Sequence, residues 1–379
     1  MAKTAGQVSV GVAHHNYQTR VIYDDLHIPG VRYVDVKFKP FPYRLMNRGS
    51  SQLSLFTILS QSLGRMAGSA DVDLYHSYNR ILFNKNKPWV ISFESLLPRT
   101  WFNKCINAPI FSILGRDECR AVLAMSENAK LHMIDRNHSH PKLVSVLEKT
   151  HIIHPGVHDF PELYRLHLER KIENEIHIAF IGNDFFRKGG TIAVSIIERL
   201  KKKYPLKFTV VSKMSKSVLE KKSIALSAPG NVDEWKSRIV NAGGTLLSDL
   251  PYHTVRGLLT QVDILLLPTL DDSFGFSIVE AMATGVVNVA TRIRAIPEII
   301  THGLDGLLID VETTREGRLD LSKTAISDIE NKMETILKDL LDNPDQLNEM
   351  SRNARRSYEK KFTRACLTKK LQAVYTSAI

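Results

Sequence analysis

The chain has 379 residues, 43% of them hydrophobic and 24% charged, with a net charge of +11. That length holds two domains of about 150–200 residues, and the composition excludes a disordered or low-complexity protein. Cys105, Cys119 and Cys366 are too far apart for a zinc motif or a disulfide framework, which fits a reducing, cytoplasmic setting.

Residues 1–160 hold 19 Lys+Arg against 12 Asp+Glu and ten of the 14 histidines, while the remainder holds 32 against 28. A basic first half suits peripheral contact with an anionic membrane surface or an anionic acceptor. A mildly basic surface with no partner explains it equally well. Aromatic and basic residues do not alternate in a stripe and no nucleic-acid module is present, so no nucleic acid is expected. The N-terminal MAKTAGQVSVGVAHHN lacks the apolar run of a signal peptide, and ILLL at 264–267 is too short to span a bilayer.

In chain order, short apolar runs read as buried strands. The first half gives VSVGVA (8–13), YVDVKF (33–38), VDLYH (72–76), PWVISF (88–93), CRAVLAMS (119–126) and THIIHPG (150–156), with helical patterns at 51–68 and 127–137. The polar, two-proline stretch 155–175 reads as a linker. The second half gives IHIAFIG (176–182), LKFTVVS (206–212), GTLLS (244–248), DILLLP (263–268), VVNVAT (286–291) and GLLID (306–310). Helices are expected between them near 190–203, 233–242, 252–260, 276–284 and 294–301. The chain ends in helices: Ile329, Met333, Ile336, Leu337, Leu340 and Leu341 share a face until Pro344 interrupts. Alternating strands and helices in both halves predict an α/β protein of two Rossmann-like, doubly wound parallel-sheet domains. Ligands of such sheets bind beyond the carboxyl ends of the strands, so two facing domains imply a cleft.

After DILLLP comes TLDDSFGFSIVEAMATG, with Asp272 in a loop and Glu280 eight positions later in a helix. Gly275 bares the backbone N–H groups of Phe274, Phe276 and Ser277 at the positive helix end, a seat for phosphate. A nearby carboxylate accepts from sugar or ribose hydroxyls. Ser277 and Glu280 also have the spacing of a capping box, which would make Glu280 merely structural.

The longer run DSFGFSIVEAMATGVVNVAT, followed by RIRAIPEII, resembles the signature of retaining glycosyltransferases of the GT-B fold, the group 1 or family 4 enzymes. Their usual run is E-G-F-G-x-x-x-x-E-A-M-A-x-G-x-P-V-V-A-T, then P-E. Asp272, Phe274, Gly275, Glu280, Ala281, Met282, Gly285, Thr291, Pro297 and Glu298 fall on its positions. The resemblance implies that Glu280 holds the donor ribose, Asp272 touches the transferred sugar, and the backbone at 274–277 binds sugar and diphosphate oxygens. Asp272 is one methylene shorter than the family's usual glutamate.

Strand 176–182 leads through Gly182 into NDFFRKGG, where the family has G-R-x-x-x-x-K-G. Lys188 and Gly189 match, Asn183 replaces the arginine, and neighbouring Arg187 can grip phosphate in its place. A solvated turn is the plain alternative. In the first half, Glu94 replaces the family's histidine after the PWVISF strand and either faces the sugar or pairs with Arg99. His14 and His15 follow the first strand as acceptor-site candidates. Ser126–Glu127 matches a family S-E turn and also reads as a helix cap.

The resemblance divides the chain into an acceptor-side domain, 1–160, a nucleotide-sugar domain, 161–358, and a helix, 359–379, crossing back to the first. It implies a retaining transferase that moves a sugar from a nucleoside-diphosphate sugar to a hydroxyl of a glycan, lipid-linked sugar or small molecule. No cofactor or metal is expected. The competing readings are a nucleotide-sugar-binding protein without turnover and a nucleotide-sugar epimerase.

Overall fold

The computed structural model describes residues 7–13, 26–40, 62–67, 71–99, 104–170, 175–214, 231–315 and 317–379. His14, His15 and 51–61 of the expected helix lie outside them. The chain divides into two compact units, residues 1–156 with 364–379, and residues 157–363.

In the first unit, β1 (Val8–Val12), β2 (Val31–Asp35), β5 (Leu74–Tyr78), β7 (Trp89–Phe93), β8 (Cys119–Ala124) and β9 (Thr150–Ile152) form a six-stranded sheet ordered β2-β1-β5-β7-β8-β9. Every pairing is parallel. Trp89, Phe93 and Phe111 fill its core, with Phe111 supplied by the Lys104–Leu114 helix. A small second sheet joins β3 (Lys37–Pro40), β4 (Leu63–Ala67) and β6 (Ile81–Leu82).

Two expectations change here. The run 33–38 is not one strand: it breaks at Val36, whose N–H goes to the Val12 carbonyl, and its halves join different sheets. Residues 63–67, read as helical, form β4 because tertiary pairing outweighs local propensity. Gly64 lies so close to the Phe38 ring and the Lys39 carbonyl that a Cβ there would collide with both. The C-terminal Arg364–Ser377 helix packs on this unit. Its Tyr375 hydroxyl meets His76 Nδ1 at 2.7 Å and Tyr33 at 3.2 Å, while His76 Nε2 meets Ser92 Oγ at 2.7 Å. Burial pulls the His76 pKa down to about 3, so the imidazole is neutral in this network.

The second unit holds β10 (Ile176–Asp184), β11 (Leu206–Lys213), β12 (Gly244–Leu247), β13 (Ile264–Leu267), β14 (Val287–Thr291) and β15 (Gly306–Ile309). They form one sheet ordered β12-β11-β10-β13-β14-β15 with all pairings parallel. The order reverses between β10 and β13, the topological switch point of a doubly wound sheet. The strands β13 and β14 are buried throughout, β13 as its unbroken apolar run predicts and β14 with Asn288 and Thr291 buried among its apolar residues. The Ile326–Leu341 helix buries Ile329, Met333, Leu337 and Leu340 on one face. Pro344, without an N–H to lose, starts the next helix, Pro344–Lys361.

The expected linker 155–175 contains a helix, Pro161–Glu169, and is fastened to the second unit. Asp159 makes two bonds to Arg355, at 2.7 and 3.0 Å, the Val157 carbonyl accepts from Tyr358, and Arg170 pairs with Asp263. Its polar residues suggested a linker, but the partners of Val157, Asp159 and Arg170 lie about 90 to 200 residues away and leave no local trace.

Candidate functional site

At the switch point, β10 and β13 each run into a loop and then a helix, Gly190–Leu200 and Phe276–Thr284. Each helix is capped by a glycine in the left-handed region, Gly189 at φ 77° and Gly275 at φ 109°, and neither has a side-chain cap. Side-chain caps would occupy the first-turn N–H groups, so both helices keep bare positive ends. Gly189 is also required by contact, because a Cβ would collide with the Pro268 carbonyl at the end of β13.

The capping-box reading of Ser277 and Glu280 fails. The helix cap is Gly275, which puts Ser277 inside the first turn and Glu280 deeper in the helix. At Ser126 the cap reading holds, since its Oγ accepts from the Ala129 N–H at 3.0 Å.

The structure joins the two loops through Lys188 and Asp272, whose side chains form an ion pair and are both largely buried. Asp272 Oδ1 also accepts from the Phe274 N–H at 3.3 Å, which orients the carboxylate across its own loop. Burial pulls the Lys188 pKa below that of an ordinary lysine, opposed by the negative charge of Asp272. Gly182 leaves room for the Lys188 stem, since a Cβ there would stand 2.9 Å from Lys188 Cγ. Asn183 is exposed at the end of β10.

Arg187 braces the two loops. Its Nε donates to Asp184 at 3.0 Å and its Nη1 to the Asp271 carbonyl at 2.6 Å, while its own carbonyl accepts from the Leu270 N–H at 3.0 Å. The Asp271 carboxylate pairs with Arg294 at 2.9 Å, and Arg294 sits at φ 50°, an uncommon backbone state for a side chain of its size. Asp272 is thus fixed through its predecessor as well as through Lys188.

Glu280 is 8% exposed and faces the neighbouring Tyr252–Leu259 helix. The Arg256 cation and the Tyr252 side chain lie near enough to favour its ionised form. Burial outweighs both and raises the Glu280 pKa to about 7; burial, then Glu280, raises Tyr252 to about 12. Phe274 is buried, its ring tilted against Phe276 with centroids 5.4 Å apart and edge-on to Phe362 at 6.3 Å.

Glu94 lies in the first unit, just beyond β7. Its carboxylate accepts from Tyr78 at 2.9 Å and its N–H donates to Asn79 Oδ1 at 3.1 Å, with Asn79 at φ 58°. Burial and then the Glu94 charge raise the Tyr78 pKa well above its ordinary value.

The sequence reading did not single out Tyr252, Arg256 or Arg294. Only Arg256 leaves a signal, a cation one helical turn before buried Leu259 in an otherwise apolar stripe. Among the described residues, no group of three or more His, Cys, Asp or Glu could hold a metal ion, and no helix is long and apolar enough to cross a membrane.

Residues 175–320 match the family model of "Glycosyl transferases group 1". A component of the human phosphatidylinositol N-acetylglucosaminyltransferase is 28% identical over 186 residues, covering 48% of this chain and 34% of its own length. This chain therefore spans about a third of that relative. Sucrose-phosphate synthase from Thermosynechococcus elongatus superposes with a TM-score of 0.63 at 12% identity, covering 98% of both chains. Anabaena HepE in complex with UDP and glucose gives 0.56 at 15%, covering 81% of this chain and 78% of that one. The likenesses to these two structures are of fold alone. The 175–320 segment is thus similar to the group 1 glycosyltransferases, and the two Rossmann-like parallel-sheet units have the GT-B fold.

Proposed function

We propose that the protein transfers a sugar, with retention at the anomeric carbon, from a nucleoside-diphosphate sugar to an acceptor hydroxyl in glycan or glycoconjugate synthesis. The observation that carries this is the meeting of Lys188 and Asp272 between two uncapped helix starts at the switch point. One cation, one carboxylate and two sets of backbone donors suit a ligand with a dianionic diphosphate beside a polyhydroxylated ring. Anabaena HepE, a neighbour in fold, is a protein that holds UDP and glucose.

Glu280 accepts hydrogen bonds from the donor ribose. Asp272 accepts from hydroxyls of the transferred sugar. The N–H groups of Phe274, Gly275, Phe276 and Ser277 hold sugar and phosphate oxygens, and the Gly182–Asn183 turn borders the phosphates. Lys188 turns from Asp272 toward the diphosphate and balances the charge that develops as the glycosidic C–O bond breaks. Arg187 keeps the loops in register and adds positive potential. The acceptor oxygen bonds to the anomeric carbon on the face the diphosphate leaves, and the acceptor proton passes to the departing phosphate oxygen. Lys188 and the helix ends supply the charge a divalent metal would otherwise provide, so the reaction is metal-independent. Retaining glycosidases use two carboxylates about 5 Å apart, one as nucleophile; Asp272, already paired with a lysine, is not given that role.

Glu94 is assigned to the sugar or acceptor side. The acceptor is a hydroxyl of a glycan, a lipid-linked sugar or a small molecule, met in the cytoplasm or at the anionic inner face of a membrane. Phosphatidylinositol, for which the human relative is named, is one lipid of that general class.

A panel of UDP-, GDP-, ADP- and dTDP-sugars tests the reading, each assayed for nucleoside diphosphate release with and without chelator. Slow release from at least one donor, unaffected by chelator, is expected. A changed sugar on an intact nucleotide points instead to an epimerase, and binding without turnover to a receptor. Loss of activity with chelator overturns the metal-free chemistry.

A further inference from the structure

Among the described residues, three that are not glycine hold a positive φ: Asn79, Asp249 and Arg294. Asparagine and aspartate tolerate that state because their short polar side chains bond locally. Arginine has no such excuse, and a glycine would take φ 50° without strain. Backbone strain persists where the surroundings hold it, and it points to a role for the side chain. Arg294 is held at both ends. Its N–H donates to the Gly317 carbonyl at 3.0 Å, and its Nε donates to Asp271 Oδ1 at 2.9 Å from a side chain that is 9% exposed.

The loop that Arg294 reaches is gripped residue by residue. The Thr269 carbonyl accepts from Thr291 Oγ1 at 2.6 Å. Leu270 donates to the Arg187 carbonyl at 3.0 Å and accepts from the Leu319 N–H at 3.1 Å. The Asp271 carbonyl accepts from Arg187 Nη1 at 2.6 Å and from Thr269 Oγ1 at 3.1 Å. Asp272 is tied instead to a group that the proposed reaction takes away, because Lys188 turns to the diphosphate. What then holds Asp272 against the rest of the unit is its predecessor, Asp271. An aspartate reaches through one methylene, so its carboxylate follows its own backbone closely.

We propose that Arg294 and Asp271 are positioning residues for the transferred sugar: their ion pair keeps Asp272 on the sugar hydroxyls after Lys188 has moved to the diphosphate. The pair therefore governs how well the sugar is held and told apart, and not how tightly the nucleoside diphosphate binds. This rests on the assignment of Asp272 and Lys188 to the donor. Neither new side chain touches the donor, and both act through the backbone that joins Asp271 to Asp272.

The test uses the full chain with Arg294→Gly, which suits the backbone, Asp271→Ala, which removes the other half of the pair, and Arg294→Lys, which keeps the charge. Without ligand, hydrogen exchange follows the Phe274 N–H, which reports on Asp272 because it donates to Oδ1. It is expected to exchange about tenfold faster in Arg294→Gly and in Asp271→Ala, the worth of a charged hydrogen bond at a part-exposed site, with the β13 amides unchanged. Combining the two substitutions should add little, since both remove one interaction. With ligand, calorimetry compares UDP with UDP-glucose, GDP with GDP-mannose, ADP with ADP-glucose and dTDP with dTDP-glucose, and takes the pair that wild type binds. Arg294→Gly is expected to weaken the nucleotide sugar about tenfold and leave its nucleoside diphosphate unchanged, with Arg294→Lys recovering part of the loss. Weakening shared equally by both members of the pair, or by neither, overturns the proposal and makes Arg294 a structural residue. A Phe274 amide unchanged in both folded variants also overturns it, by detaching the pair from Asp272. A faster Phe274 amide in a protein that binds none of these compounds leaves the positioning of Asp272 intact and removes the donor assignment instead. If Arg294→Gly does not melt cooperatively, Asp271→Ala and Arg294→Lys decide.

Discussion

The two units share an architecture and differ in what lies beyond the ends of their strands. In the second unit, the segments after β10 and β13 carry a buried Lys188–Asp272 pair and a buried Glu280, and the helix before β13 carries an incompletely paired Arg256. In the first, β5 and β7 carry groups that satisfy one another: His76 lies between Tyr375 and Ser92, and Tyr78 donates to Glu94. One arrangement holds charge in reserve and the other is closed by short-range hydrogen bonds. A self-satisfied network stabilises its unit, whereas charge lodged without full pairing costs stability and is explained by a ligand.

Lys188→Ala should produce the largest effect. Removing the cation assigned to the departing diphosphate is expected to lower turnover by about 10²–10³-fold, in the range seen when a single transition-state donor is removed. Donor release by the variant at the wild-type rate would erase the contrast between the units.

Glu280→Gln separates stability from function. The Glu280 pKa rises from 4.5 to about 7 on folding, so its contribution is fully present below 4.5 and is lost as pH rises through 7. At pH 8 the ionised carboxylate therefore costs roughly 3 kcal/mol. The glutamine variant should melt higher than wild type at pH 8, match it near pH 4, and bind donor poorly. Melting curves that coincide at every pH would show that Glu280 is not buried as described.

Gly189→Ala probes the backbone. A side chain there collides with the Pro268 carbonyl at a positive φ, so a loss of about 2–3 kcal/mol is expected in chemical denaturation. A loss below about 0.5 kcal/mol, the level of an ordinary surface change, would mean that the loops are not in contact.

Tyr78→Phe should be the mildest. It removes one hydrogen bond to Glu94, about 1–2 kcal/mol of stability, and leaves donor affinity unchanged. An affinity that falls tenfold or more would set Glu94 on the donor's sugar rather than on the acceptor and dissolve the distinction.

Much of this was legible in the sequence where the determinants are local. Asp272, Gly275 and Glu280 lie within nine residues, and Lys188 and Gly189 follow directly on β10. Apolar runs such as ILLL and VNVAT located the second sheet for the same reason. The capping-box ambiguity at Ser277 was not resolvable from spacing, because the outcome depends on the φ of Gly275. Tyr252 and Arg256 lie near a carboxylate more than twenty residues away, through the packing of two helices. Arg187 matched a phosphate-gripping role by type and position, yet its bonds to Asp184 and Asp271 depend on how two loops meet. The strand β4 was hidden because its partner β3 lies more than twenty residues upstream.

The central claim is that the second unit's strand ends hold the donor. Calorimetric titration of the nucleotide sugar selected by the donor panel, into wild type and Glu280→Ala side by side at pH 8, tests it most directly. One site per wild-type chain is expected, with at least a 100-fold weaker affinity in the variant, about 2.7 kcal/mol. Equal affinities in two folded proteins would contradict it.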